Sequence, residues 1–378
     1  MQFTRTFHSV GQGAFYSEEI ELHPKRIFRM VYDCGSLTLK PSELKKRIKS
    51  DFANDLNIDI LFISHFDIDH INGVKYLQPK VVILPFLTTE QIQILRVYNK
   101  VVENTFNIRF IENPKSLFKD AHIIKVLTDT SEPSNDKPNT EKAISINIDE
   151  TNIVSLSKEI DSKTQILIND AYPVWEYIPL NPNWDKYIEK FRTKIKEKNL
   201  DWDKLMLPNN AGYIKSNIKI LKDIYHNLNP KNEHSLVVYS NSVSKTEVDN
   251  YFYHNFLFYL YPHYIRHLPF GCLYFGDIRI DNKWKEPFYD FLKKTGRLSK
   301  VGTIQIPHHG SYLSNGEKVF SDKFIFHNPI LCIISVGNFN HFGHPSLHVV
   351  KELHRNSGIV TMVTESVTSV CSYYSYNI

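Results

Sequence analysis

Short apolar runs, separated by segments whose apolar residues recur every three or four positions, set most of the predicted elements. Residues 3–10 and 27–32 read as strands. Leu44, Ile48, Phe52 and Leu56 follow Pro41 at four-residue steps, which predicts an amphipathic helix over 41–56 with proline in its first turn. Residues 58–63 are short, β-branched and aromatic, and predict a buried strand. A short helix at 70–77, a strand at 81–84 and a helix at 89–106 complete this half. Residues 131–140, rich in Ser, Pro, Asn and Asp, read as an exposed loop. Beyond it come short strands at 143–148, 153–156 and 165–168, then basic helices at 183–199 and 214–228. Strands at 235–240, 271–275, 301–306, 331–336, 359–363 and 369–376 alternate with helices such as 283–295 and 346–355. Strand–helix alternation in two runs predicts α/β sheets covered by helices.

Polar residues gather where these strands end. The densest cluster is His65, Asp67, Asp69 and His70, just after the buried strand and just before Asn72 and Gly73. Imidazole nitrogen and carboxylate oxygen are both ligands for zinc, manganese or iron, and a strand end is a natural place to present them. Asp33 precedes Cys34 and Gly35, and Asp277 follows Gly276. Each alone reads equally well as a turn residue. Adjacent His308 and His309 follow Pro307 and precede Gly310 and Ser311, and His341 and His344 precede a helix. In a layered α/β protein the carboxyl ends of strands collect along one edge, so these residues are expected to converge there.

Composition narrows the class only a little. Of the 378 residues, 42% are hydrophobic and 23% charged, an ordinary globular balance with room for a large core. No apolar run approaches the roughly 18–20 residues that cross a bilayer, and the N-terminus lacks a signal-peptide pattern. A cytoplasmic protein with no membrane partner is therefore expected. Cys34, Cys272, Cys332 and Cys371 are widely spaced in apolar surroundings and read as reduced core thiols. Between Lys186 and Lys231 eleven Lys/Arg stand against five Asp/Glu, a local excess larger than the +4 of the whole chain. That stretch suits either a phosphate backbone or a solvated helical face.

Seven motifs, in this order, give the chain its resemblance. They are Val10-Gly11-Gln12-Gly13, Tyr32-Asp33-Cys34-Gly35, Ser64 to Gly73, His234 to Val238, Phe275-Gly276-Asp277, Pro307 to Ser311, and Gly343-His344-Pro345. The chain resembles metallo-β-lactamase-fold hydrolases, most closely the hydrolase domain of ComEC-type DNA-uptake proteins. The resemblance, carried by about the first eighty and the last hundred and fifty residues, implies a metallo-β-lactamase-like αββα sandwich spanning residues 1–378. The residues between match much less well, and about 120–230 read as a large mixed insertion acting as a cap or docking segment. The resemblance also implies two divalent metal ions. His65 and Asp67 would hold one, Asp69, His70 and His309 the other, and Asp277 would bridge them, with Asp33 bracing the site from behind. Asp67 stands where most of the superfamily has histidine, and an oxygen donor there favours Mn²⁺ over Zn²⁺. Asn232 and His234 are the candidates for the histidine that many relatives carry ahead of Ser235. Ala14 occupies a position that is usually aspartate in the ComEC-type pattern.

The expected activity is phosphodiester hydrolysis of nucleic acid by metal-activated water. Asp69, His308 and His344 are the expected catalytic groups, and Ser311 and His341 the expected substrate contacts. A small-molecule hydrolase acting on a cyclic nucleotide or lactone is a second reading. A non-catalytic subunit that docks a protein partner through the insertion is a third.

Overall fold

The computed structural model describes residues 2–376 except 24–25, 102–104, 131–141, 148–156, 171, 229–234, 244–248, 254–267, 281, 316–329 and 357. The loop expected at 131–140, the strand expected at 153–156, and Asn232 and His234 lie outside the described residues.

Two mixed sheets face each other. The first has nine strands in the order Asp249–Tyr253, Cys371–Tyr376, Gln2–Phe7, Phe15–His23, Arg26–Cys34, Asn57–Phe62, Gln78–Pro85, His122–Val126 and Glu159–Ile160. The second has eight, in the order Gly358–Val363, Ile330–Ser335, Val301–Gln305, Gly271–Tyr274, Val237–Ser242, Pro173–Leu180, Gln165–Asn169 and Ala143–Asn147. Each sheet contains a parallel block: Arg26–Cys34 through Glu159–Ile160 in the first, Gly271–Tyr274 through Gly358–Val363 in the second.

Side-chain alternation along these strands builds three cores. Tyr32, Ile60, Phe62, Val81 and Ile83 of the first sheet pack against Leu236, Val238, Tyr274, Leu331 and Ile333 of the second. Their neighbours Val31, Leu61 and Val82 point the other way, into a layer of helices. On the far side, Val237, Tyr239, Leu273, Ile304, Cys332 and Ile334 pack beneath Phe288, Leu292, Val349 and Leu353. Strands covered on both faces must be apolar on both, which is why they appear in the sequence as continuous runs. Helix, sheet, sheet, helix is the αββα sandwich. Among the described residues no helix is long and apolar enough to cross a membrane.

The described parts of 120–230 are woven into this body. His122–Val126 and Glu159–Ile160 extend the first sheet, and Ala143–Asn147, Gln165–Asn169 and Pro173–Leu180 extend the second. Helices Asp185–Glu197 and Ile218–Leu228 contribute Tyr187, Phe191, Ile195, Leu221 and Tyr225 to the outer core that also holds Leu44, Val97 and Tyr98. Their Lys186, Lys190, Lys196, Lys219 and Lys222 remain exposed.

The first helix is Pro41–Asp51, shorter than the apolar spacing predicted. Ala53 and Asn54 take left-handed backbone (φ 47° and 67°), which stops the helix while Phe52 stays buried. The stretch read as one helix over 214–228 is divided into Ala211–Ser216 and Ile218–Leu228. Asn217 sits at the break, with its side-chain amide donating to the Tyr213 carbonyl at 2.9 Å.

Candidate metal centre

Five neighbouring strand ends deliver the site. Asp33 is the penultimate residue of the strand Arg26–Cys34, and His65 to His70 follow Asn57–Phe62. Asp277 follows Gly271–Tyr274, His308 and His309 follow Val301–Gln305, and Ser335 closes Ile330–Ser335. Carboxyl ends of parallel strands point the same way, so one edge of the sandwich receives all of these groups.

Asp69, His70, Asp277 and His309 are buried, and each offers a donor atom within 4.8 Å of the others. His309 Nε2 lies 3.2 Å from Asp69 Oδ2, and His70 Nε2 lies 3.1 Å from Asp277 Oδ1. The second oxygen of Asp277 faces other imidazoles, 3.9 Å from His65 Nε2 and 3.9 Å from His308 Nε2. His65 Nε2 is also 4.0 Å from Asp67 Oδ2. The Asp277 carboxylate therefore stands between two groups of donors.

Hydrogen bonds behind the cluster fix which ring nitrogen faces it. Ser64 O–H donates to Asp33 Oδ2 at 2.6 Å, so its oxygen is left to accept from His65 Nδ1–H at 2.8 Å. His70 Nδ1–H donates to Asp33 Oδ2 at 2.7 Å, and His309 Nδ1–H to the Ser335 carbonyl at 2.8 Å. In its neutral form each ring then presents the Nε2 lone pair to the centre, the arrangement by which outer partners orient metal-binding imidazoles. His70 Nε2 and Asp277 Oδ1 are buried with no hydrogen bond of normal geometry. Two such atoms in a nest of carboxylates and imidazoles fit a divalent cation better than a water-free packing site.

Backbone strain and close packing hold the arrangement. Asp33, His308 and His309 all adopt left-handed backbone (φ 54°, 48° and 54°), which costs roughly 1–3 kcal/mol per residue without glycine. Gly35 lies against the Asp69–His70 backbone: a Cβ there would sit 2.4 Å from the Asp69 carbonyl oxygen. Ala14 N–H bonds that same carbonyl at 3.0 Å, and Gly35 N–H bonds the Ala14 carbonyl at 2.8 Å. Gly35→Ala is expected to push this turn aside. It should lower stability by about 1–3 kcal/mol in a urea melt and weaken metal binding in parallel. An unchanged melt with unchanged affinity would show that the turn has slack.

The charges are strongly coupled. Burial pulls the His70 imidazole down, but Asp277 and Asp33 outweigh it and hold it well above its ordinary value. His309 is also raised, burial being overcome by its hydrogen bond to Asp69. Burial works against ionised Asp69 and Asp277, yet their histidine partners keep both below the usual carboxylate range. Asp33 is pushed up by burial despite His70 and Ser64. Burial lowers His308, and burial together with His308 and His309 brings His344 down to about 4.

A cation must displace the protons that His70 and His309 hold, because only neutral imidazole ligates. Raised histidines release those protons less readily at low pH, so affinity should climb as pH rises from about 6 to 8. Calorimetric Mn²⁺ titrations in two buffers of different ionisation enthalpy should reveal net proton release. Heats that do not depend on buffer would contradict it.

The remaining expected residues are placed as follows. His344 is half-buried, its ring 5.4 Å from His308 and 6.4 Å from His309. Ser311 is buried and its N–H closes the histidine turn on the His308 carbonyl at 2.8 Å. His341 is exposed. Sequence reasoning assigned no role to Ser64, Ser235, Ser314 or Gln305. The Ser235 hydroxyl oxygen accepts from Asp277 N–H at 3.0 Å, and Ser314 Oγ lies 2.7 Å from His308 Nδ1. Gln305 accepts from Phe275 and Gly276 N–H at 2.7 and 2.8 Å, which pins the turn before Asp277. Their signal was a polar residue at or near a strand end, too common a feature to single out.

A two-sheet sandwich flanked by helices, with histidines and aspartates crowding one edge, is the architecture of metallo-β-lactamase-like proteins. Residues 28–94 match the family model of the metallo-beta-lactamase superfamily, a span that includes Asp33 and the His65–His70 cluster. No curated protein matches the chain. The matched domain and the donor cluster together point to a metal-dependent hydrolase.

Proposed function

We propose that the chain is a metal-dependent phosphodiesterase that cleaves nucleic acid, with two divalent ions held along the sandwich edge. The observation that carries this reading is Asp277, whose two oxygens face His70 on one side and His65 and His308 on the other. His65 and Asp67 would hold one ion, Asp69, His70 and His309 the other, and Asp277 both. Three aspartates stand beside three histidines, and the oxygen donor of Asp67 in place of a histidine nitrogen supports Mn²⁺, with Zn²⁺ as the alternative. When bound, such ions supply Lewis acidity toward water and toward a phosphoryl oxygen.

The protein's own groups would do the rest. A carboxylate has two oxygens, so Asp69 can hold an ion and still accept a hydrogen bond that orients a water. His308 and His344, lowered by burial, are neutral at pH 7. They would contact the phosphate through ring N–H groups rather than as cations, and a neutral ring can also accept a proton. Exposed lysines on helices Asp185–Glu197 and Ile218–Leu228 supply attraction for a polyanion. The likeness to the ComEC-type domain supports a nucleic-acid substrate.

The test is a panel of single-stranded DNA, RNA, cyclic nucleotides, and lactone or thioester substrates, each with Mn²⁺, Zn²⁺ or chelator. Chelator-sensitive cleavage of a nucleic acid, weakening as salt rises, is the expected outcome. Turnover of only the small substrates would assign the same centre to a small-molecule hydrolase.

A further inference from the structure

Phe342, two residues before His344, is 61% exposed. It is nonetheless held in place. The Asn340 side chain donates to the Gly337 and His344 carbonyls at 3.0 and 2.7 Å and accepts from His344 N–H at 3.0 Å, so one amide spans the turn. The turn is docked in its own right onto the histidine strand end, because Ser346 N–H bonds the Gly310 carbonyl at 3.0 Å. Gly310 allows that approach: a Cβ there would lie 2.8 Å from Pro345 Cβ.

Rings step outward from the candidate centre. His309 is 6.4 Å from His344, and His344 is 6.0 Å from Phe342, with only 13° between the latter two planes. The result is a flat aromatic face, braced by hydrogen bonds and open to solvent, two rings away from an expected metal ligand. Phe339 on the same turn is 93% exposed. A phosphate held at the cluster carries its neighbouring base one sugar away, within reach of that face. Aromatic platforms beside a polar track are how single strands are held without sequence preference.

We propose that Phe342, stacked on His344, is the platform for the base adjoining the phosphate under attack. This rests on the nucleic-acid reading above, and makes the site selective for base-bearing single strands over bare phosphodiesters. A duplex would present its bases already stacked, so single strands are the preferred substrate.

The experiment compares two substrates of the full Mn²⁺-loaded protein: a short single-stranded DNA, and the same chain with its bases replaced by abasic tetrahydrofuran sugars. Wild-type protein should favour the base-bearing strand. Phe342→Ala should lower kcat/KM on that strand by on the order of tenfold, mainly through KM, and leave the abasic strand unchanged. Phe342→Trp should restore the preference, and the melting temperature and metal content of both variants should match wild type. Equal losses on both substrates, or no loss on either, would overturn the platform while leaving the nuclease standing. Absence of wild-type cleavage on either strand would overturn the nuclease reading and the platform with it.

Discussion

Asp69→Ala combined with His70→Ala should abolish manganese-dependent phosphodiester cleavage while the chain stays folded. Metal-assisted charge stabilisation is worth several kcal/mol, and each 1.36 kcal/mol is tenfold in rate, so a loss of about 10³-fold or more is expected. The double variant removes one anion with one cation, so the net charge of the buried cluster is unchanged, as it is in neither single variant. His70 sits between Asp33 at 2.7 Å and Asp277 at 3.1 Å, and Asp69 lies 3.2 Å from His309, so the pair takes one donor from each of the close contacts of the centre. Cleavage within tenfold of wild type, in a preparation whose melt is unchanged, would place the activity elsewhere.

The second large effect concerns stability. Glu18→Ala should destabilise the fold by about 3–5 kcal/mol, because it strands the charge of Arg5 in the core between the sheets. Both side chains are fully buried, with Arg5 Nε 2.7 Å from Glu18 Oε1. Glu18 also accepts from Tyr274 O–H at 2.9 Å and Ser240 O–H at 2.7 Å, both on the opposite sheet. One carboxylate thus ties the two halves of the sandwich together, close to the strand that leads to Asp277. Replacing the pair together, Arg5→Met with Glu18→Leu, should cost much less, since no buried charge is left alone. A shift in the urea midpoint for Glu18→Ala equivalent to less than about 1 kcal/mol would contradict this.

The same buried pair explains part of what the sequence concealed. Phe15–His23 is a central strand, yet consecutive glutamates break its apolar alternation, and the inward Glu18 is tolerable because Arg5 on the adjacent strand and the two hydroxyls opposite meet it. Pro173–Leu180 was hidden in the same way. It carries a proline at residue 179, which argues against a strand, and its buried Glu176 accepts from Arg297 at 2.8 Å and Gln165 at 2.7 Å. His122–Val126 and Asp249–Tyr253 also went unread, being short and lying toward sheet edges. Strands buried on both faces, such as Ile330–Ser335, were legible because burial leaves little room for polar residues. The clustering of histidines and aspartates at strand ends was legible because sequence order sets which residues follow each strand. Their mutual distances were not, since those depend on Ser64, Ser235 and Gln305, which hold the turns from behind.

Metal content, measured on the full chain after equilibration with Mn²⁺ and removal of free ion, bears most directly on whether these side chains share a pair of cations. About two ions per chain are expected for the wild type, falling to one or none in Asp277→Ala because its carboxylate faces both halves of the centre. Fewer than one ion per wild-type chain, whatever the Mn²⁺ supplied, would contradict it.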